Sequence, residues 1–238
     1  MLNKIDLSSF ISIYLKDIDA KGISPQIPIL RRICADMEAI ANPCMPCFVF
    51  GPSKQSCFIG WTGAVGMIQL QNVFDPRLLI HHFAHELCHF AIGGQNVNRQ
   101  ADNPYSELAA EIFAFHAINE ARKNFMEGNN HLPAQLLEGH IAELNHHNRV
   151  YLQTLYREGI RPLLPLTVVP GKNYDLVDSV ALFVFELFEQ NKNLWKILPH
   201  IGTADRDTPF EDLVSQFLLI ADDSYRESLE KLIAKLYP

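Results

Sequence analysis

The chain has 238 residues, of which 48% are hydrophobic, so it can bury a sizeable core without disulfide bonds. A formal net charge of −7 and the lack of a basic run argue against nucleic-acid binding. No segment has the roughly 18 consecutive apolar residues that span a bilayer, and polar residues interrupt the N-terminal run that a signal peptide requires. We predict a protein that binds neither nucleic acid nor membrane and is cytoplasmic by default. Export by a route that reads no N-terminal signal stays open.

Residues 4–41 are predicted to be mostly helical. Apolar side chains recur at helical spacing in both halves of this segment, namely Leu7, Phe10, Ile11 and Tyr14, then Leu30, Ile33, Met37 and Ile40. The stretch from Gly22 to Pro28 is predicted to separate two helices.

Three short β-rich runs follow, at residues 47–50, 57–61 and 66–71. Glycine and proline residues separate them, which is typical of strands joined by tight turns. We predict a small antiparallel sheet over about residues 47–72. The alternation of polar and apolar residues in the third run predicts a half-exposed strand at the sheet edge.

The rest of the chain is predicted to be helical. Asp75-Pro76 is a favourable helix start and Gly93-Gly94 a favourable stop, and a second helix is predicted from Pro104 to about Asn124. Four further helices are predicted at about residues 132–158, 174–197, 209–221 and 223–236.

The predicted fold class is therefore α+β and predominantly helical, with the sheet packed on the helix over 76–92 and with N-terminal and C-terminal helices. Residues 1–130 would form the N-terminal helices and a catalytic core. Residues 131–238 would form a helical part packed on it, either as a second unit or within one single domain.

The five cysteines are odd in number and scattered, which fits a reducing compartment better than a disulfide framework. Cys44 and Cys47 form a lone C-x-x-C pair. A structural zinc site needs a second such pair, so the sequence favours small apolar residues near a core strand over a metal or redox site.

The run His85-Glu86-Leu87-Cys88-His89 carries the strongest chemical signal. On a helix, residues four apart share a face, so both imidazoles can bind one zinc ion. Glu86 would contact a zinc-bound water and accept its proton during attack on a carbonyl.

A second pair of residues can complete this site. Glu107 and Glu111 are also four apart on the next predicted helix, where Ala109 and Ala110 would allow close helix packing. A catalytic zinc takes three protein ligands and leaves one position for water. One glutamate can be the third ligand, while the other supports a ligand histidine by a hydrogen bond.

The H-E-x-x-H run followed by a glutamate on the next helix resembles the gluzincin metallopeptidases, which include thermolysin-like enzymes. The resemblance covers about residues 64–120. Glu107 lies 18 residues after His89, and Glu111 follows four residues later. The resemblance therefore implies one zinc ion per chain, with Glu107 as third ligand and Glu111 as its support. The reverse assignment of the two glutamates stays open, and the residue before Glu107 is Ser106 where the family usually has Asn or Gly.

Two other zinc-peptidase classes fit the sequence less well. Metzincins continue with a glycine and a third histidine after the motif, but Ile92 and Gln95 occupy those positions. Aspzincins use a downstream G-T-x-D, which residues 202–205 match in letters. That match lacks the expected tyrosine afterwards, and a turn before the next helix explains it equally well.

Peptidases of this type also need a donor for the oxyanion of the tetrahedral intermediate. The main candidates are His146, His147 and Tyr151, with His140, Tyr156 and Tyr174 as others. A solvated helix face is the simpler explanation of the His146 cluster. His81 and His82 are predicted to be packing or surface residues, and His116 to be a core histidine.

The sequence thus predicts a zinc-dependent metallopeptidase that hydrolyses peptide bonds of a peptide or protein substrate by Glu86-assisted attack of zinc-bound water. Two alternatives stay open. One is an inactive helical protein-binding module with a vestigial motif, and the other is a zinc hydrolase of a non-peptide amide.

Overall fold

In the computed structural model, the described residues are 2–16, 21–41, 46–54, 57–62, 65–93, 103–158 and 174–236. The fold is predominantly helical α+β, as predicted. Its strands are β1 (Leu2–Asp6), β2 (Ile11–Lys16), β3 (Cys47–Phe50), β4 (Cys57–Thr62) and β5 (Val65–Gln69). The α-helices of the described ranges are α1 (Ile27–Ala41), α2 (Pro76–Gly93), α3 (Pro104–Glu127), α4 (His131–His147), α5 (Arg149–Glu158), α6 (Tyr174–Gln190), α7 (Leu198–Thr203), α8 (Phe210–Ile220) and α9 (Asp223–Leu236).

The prediction of a helix in the N-terminal part of residues 4–41 is wrong for the first 13 of these residues, which form β1, a turn and β2. Ile11, Ile13 and Leu15 are fully buried and alternate with more exposed neighbours. This period of two is typical of a strand. Burial of these side chains on one face of the sheet stabilises the strand more than the few apolar residues at helical spacing would stabilise a helix. The second predicted helix is confirmed as α1, whose Leu30 and Met37 are fully buried.

The five strands form one sheet in the order β1-β2-β3-β5-β4. The predicted strands at 47–50, 57–61 and 66–71 are confirmed, but the sheet is mixed and not wholly antiparallel. β2 pairs with β3 in parallel, and β3 pairs with β5 in parallel, whereas the β1–β2 and β4–β5 pairs are antiparallel.

The predicted position of the third strand at the sheet edge is also wrong. β5 is hydrogen-bonded on both sides, to β3 and to β4, and β4 is the last strand of the sheet on that side. Half-exposed side chains alternate along β5, but such alternation reports on its two faces and carries no information about its two edges.

Helix α2 begins as predicted. The Asp75 carboxylate accepts a hydrogen bond from the Arg77 backbone N–H at 2.9 Å, which satisfies one of the free donors of the first turn. Pro76 occupies the first helical position, where it has no hydrogen bond to lose. The helix packs against α1, β4 and β5, so the predicted packing of the sheet on this helix is confirmed. Its predicted stop includes Gly94, which lies outside the described residues.

The later helices differ from the prediction in their breaks. The helix predicted over 132–158 is two helices, α4 and α5, separated at the buried Asn148. The helix predicted over 174–197 ends at Gln190, after which Asn191 caps a 3-10 helix over Lys192–Ile197. The short helix α7 was not predicted.

The chain forms two compact units. The first comprises Met1–Asn98 and Phe113–Ile141, and includes the sheet, α1 and α2. The second comprises Arg99–Ile112 and Ala142–Pro238, and its core includes edge-to-face contacts of Phe188 with Trp195 and Phe217. Helix α3 is continuous and contributes residues to both units. Whether residues 1–130 and 131–238 fold as separate domains stays a prediction.

None of the helices in the described ranges combines the length and the apolar character needed to cross a membrane.

Candidate metal centre

His85 and His89 lie on one face of α2, one turn apart. Their Nε2 atoms are 3.0 Å from each other, and their rings meet edge to face with centroids 4.7 Å apart. Both side chains are half-buried, while Ala84, Leu87 and Cys88 are almost completely buried. The helix therefore fixes its apolar face in the core and leaves the two imidazoles at its accessible margin.

Glu107 lies in the first turn of α3. Asn103 precedes this helix, and its side-chain oxygen accepts a hydrogen bond from the Tyr105 N–H at 3.0 Å. The backbone oxygen of Asn103 accepts from the Glu107 N–H at 3.2 Å. Acidic side chains are favoured in the first turn of a helix by the helix dipole, and Glu107 occupies such a position.

The start of α3 is anchored within the second unit. The Asn103 side-chain amide donates to the Ala204 carbonyl at 2.7 Å, and the Tyr105 hydroxyl donates to the Thr208 carbonyl. Burial, followed by the nearby Glu211 and Asp212 carboxylates, raises the pKa of Tyr105 to about 12, so the phenol stays protonated and able to donate. Ala204, which lies within the G-T-x-D match, and Thr208, which follows it, thus have a structural role at this helix start.

The three predicted metal ligands come together. One ligand atom each of His85, His89 and Glu107 lies within 4.8 Å of the other two, and this is the only such group of three or more in the described part of the chain. Bonds of about 2.0–2.1 Å in a tetrahedral zinc site place ligand atoms roughly 3.3 Å apart. The two imidazole nitrogens already have about this spacing, and a small side-chain adjustment of the group would complete it.

The donor chemistry of this group fits a catalytic metal ion. Two imidazole nitrogens and one carboxylate oxygen form a common catalytic zinc set that leaves a position for water. Non-haem iron(II) sites use the same donors. The group can therefore hold a metal ion.

The residues predicted to act beside the metal are placed as follows. Glu86 is buried on α2, with 8% of its surface exposed. Glu111 is half-buried on α3, one turn after Glu107, and Ser106 is buried. The roles of Glu86 as general base and Glu111 as support stay predictions.

The three main candidates for the oxyanion donor lie in the second unit, whereas His140 lies in the first. His146 and His147 are exposed in the last turn of α4, and Tyr151 is half-buried on α5. Their assignment as donors stays a prediction.

One histidine pair was not predicted. His81, which the sequence analysis assigned to packing or surface, lies against His140 of α4, with His81 Nδ1 and His140 Nε2 3.1 Å apart. The spacing of four residues between His81 and His85 is a signal for a shared helix face. The partner on α4 has no such local signal.

Of the lone C-x-x-C pair, only Cys47 lies within the described residues. Cys47 is fully buried in β3, and burial raises the pKa of its thiol to about 12. A thiol of this kind is protonated and poorly suited to metal binding or redox exchange. Cys44 lies outside the described residues.

No family model, no curated protein and no solved structure matches this chain.

Proposed function

We propose that this protein is a zinc-dependent metallopeptidase with a gluzincin-like site. The observation that carries the proposal is the group formed by His85, His89 and Glu107. Two histidines four residues apart on one helix and a carboxylate from another supply the three ligands that a catalytic zinc requires.

Glu86 distinguishes a hydrolytic site from a purely structural metal site. A bound zinc ion would acidify a coordinated water and polarise the substrate carbonyl. Glu86 accepts the proton that the attacking water loses and then delivers it to the leaving nitrogen. Glu86 directly follows His85 on α2 and is buried, with 8% of its surface exposed.

The strand β4 is the segment best placed to align an extended peptide. It is the last strand of the sheet beside β5, and it packs on α2, which carries the H-E-x-x-H run. A peptide that adds to a free strand edge gains backbone hydrogen bonds, which is a recurring mode of peptide recognition. β5, which the sequence predicted to be the edge strand, is paired on both sides and has no edge for a peptide.

The Glu86→Gln variant tests the proposal. Gln is nearly isosteric but cannot accept a proton, so the variant should keep about one zinc ion per chain and lose hydrolysis by a factor of at least 10². The measurements are metal analysis of the purified protein and identification of new N-termini in a complex peptide mixture.

The Glu138→Gln variant is a matched control, because Glu138 is an exposed carboxylate on α4. It should behave as the unaltered protein. Full activity of Glu86→Gln would contradict the mechanism, and a protein that takes up no zinc would contradict the site. A zinc-loaded protein that cleaves no peptide would favour hydrolysis of a non-peptide amide. Iron in place of zinc in the purified protein would favour a non-haem iron site.

A further inference from the structure

The histidine pair of His81 on α2 and His140 on α4 is separate from the proposed catalytic ligands. The two ring nitrogens, His81 Nδ1 and His140 Nε2, are 3.1 Å apart, and the ring centroids are 5.3 Å apart with the planes tilted by 60°. Both residues are half-buried. Both residues belong to the first unit.

The spacing of this pair matches that of the proposed zinc ligands. His85 and His89 hold their Nε2 atoms 3.0 Å apart, compared with 3.1 Å for the pair formed by His81 and His140. Tetrahedral coordination calls for roughly 3.3 Å between ligand nitrogens. The two pairs therefore present the same chemistry to an ion, although one lies along a single helix and the other bridges two helices.

We propose that His81 and His140 form an accessory binding site for a divalent transition-metal ion such as zinc, nickel or copper. Neutral imidazole suits these ions, whereas magnesium and calcium prefer oxygen ligands. Two nitrogen ligands come from the protein, and water completes the coordination. With two protein ligands in place of three, this site binds zinc more weakly than the group of His85, His89 and Glu107.

The position of the site on α2 defines its relation to the first site. His81 precedes His85 by four residues, which corresponds to about 6 Å along the helix axis. An ion at the accessory site would link α4 to α2 within the first unit. Metal bound only by the folded protein stabilises it, so occupancy of this site should strengthen the attachment of α4 at high metal concentration.

A metal titration of the full-length protein, stripped of metal with a chelator, tests this site. Calorimetry with zinc should show a tight equivalent followed by a weaker one, and magnesium should produce neither. The variants His81→Ala and His140→Ala should each lose the weaker equivalent and retain the tight one. The variant His89→Ala should show the opposite pattern.

Matched controls distinguish this site from non-specific binding of metal ions to other histidines. His131→Ala removes an exposed histidine from α4, and His82→Ala removes the neighbour of His81 on α2. Both variants should retain the weaker equivalent. His140→Gln keeps a hydrogen-bonding side chain opposite His81 while removing the imidazole ligand, so it should fold normally and lose only the weaker equivalent.

Two outcomes would overturn the inference. A single, tight equivalent in the unaltered protein would mean that the two imidazoles share only a hydrogen bond. Persistence of the weaker equivalent in His140→Gln would place it elsewhere. A single, weak equivalent that His140→Gln abolishes would instead contradict the proposed catalytic site and support the accessory site, so the two failures are distinguishable.

Discussion

Glu107 and Glu111 have the same side chain and lie one turn apart on the same helix, yet their environments suit different roles. Glu107 is in the first turn of α3 and belongs to the three-residue group with His85 and His89. Glu111 is half-buried but outside that group. These placements favour the assignment of Glu107 as ligand over the reverse assignment that the sequence left open.

Separate substitution of each glutamate should show which of the two contributes more to zinc affinity. Glu107→Ala removes a ligand and should lower zinc affinity by more than 100-fold, whereas loss of a supporting hydrogen bond at Glu111→Ala should cost about 10–100-fold. Competition with a chromophoric chelator measures both affinities. Glu127→Ala, an exposed carboxylate at the end of the same helix, should have no effect. A larger loss at Glu111 than at Glu107 would reverse the assignment.

At the scale of elements, Asp75 controls the start of the helix that carries the motif. The Arg77 side chain, together with backbone N–H groups of the first turn, lowers the pKa of the Asp75 carboxyl. Its charged form is therefore stabilised in the folded protein. This contribution is present above the unfolded pKa of about 3.9 and is lost as the pH falls below it, through the folded pKa.

Asp75→Ala should lower the free energy of unfolding by about 1 kcal/mol at neutral pH because the cap is lost. The difference from the unaltered protein should shrink as the pH falls below about 4. Urea unfolding at several pH values measures it. Asp75→Asn keeps the capping oxygen without the charge, so it should be intermediate in stability and less dependent on pH. A constant difference at all pH values would contradict this account.

Asn103 should act as a positioning residue for Glu107. Its side chain caps α3 and also reaches the Ala204 carbonyl. Asn103→Ala should cost about 1 kcal/mol of stability and also weaken zinc binding, because the helix start that carries Glu107 loses its anchor. Thermal unfolding and metal competition are the two measurements.

Asn103→Asp is the matched control for this effect. Aspartate keeps the capping oxygen but cannot donate to the Ala204 carbonyl, so it separates the contribution of the cap from that of the Ala204 bond. An equal loss in both variants would assign the effect to the Ala204 bond, and unchanged zinc affinity in Asn103→Ala would show that the cap does not position Glu107.

The elements that the sequence predicts well are those determined by local spacing. His85 and His89, four residues apart between Asp75-Pro76 and a glycine stop, specify both a helix and a shared face. The order of the strands depends on pairing between distant segments. Nothing within residues 65–69 encodes that β3 and β4 lie on either side of β5. The contact between His81 and His140 joins residues 59 positions apart, so it cannot be predicted from the sequence for the same reason.

At the scale of the whole molecule, metal binding and folding should be linked. The ligand group exists only in the folded chain, so zinc should stabilise it by about 2.7 kcal/mol when free zinc is 100 times the dissociation constant. For a chain of this size each kcal/mol raises the melting temperature by about 2–4 °C, so the expected rise is about 5–11 °C. Calorimetry with and without a chelator measures the rise. His89→Ala should abolish most of it, since the tight site is lost, whereas magnesium should not reproduce it in the unaltered protein. An equal rise in His89→Ala would contradict the link between this ligand group and stability.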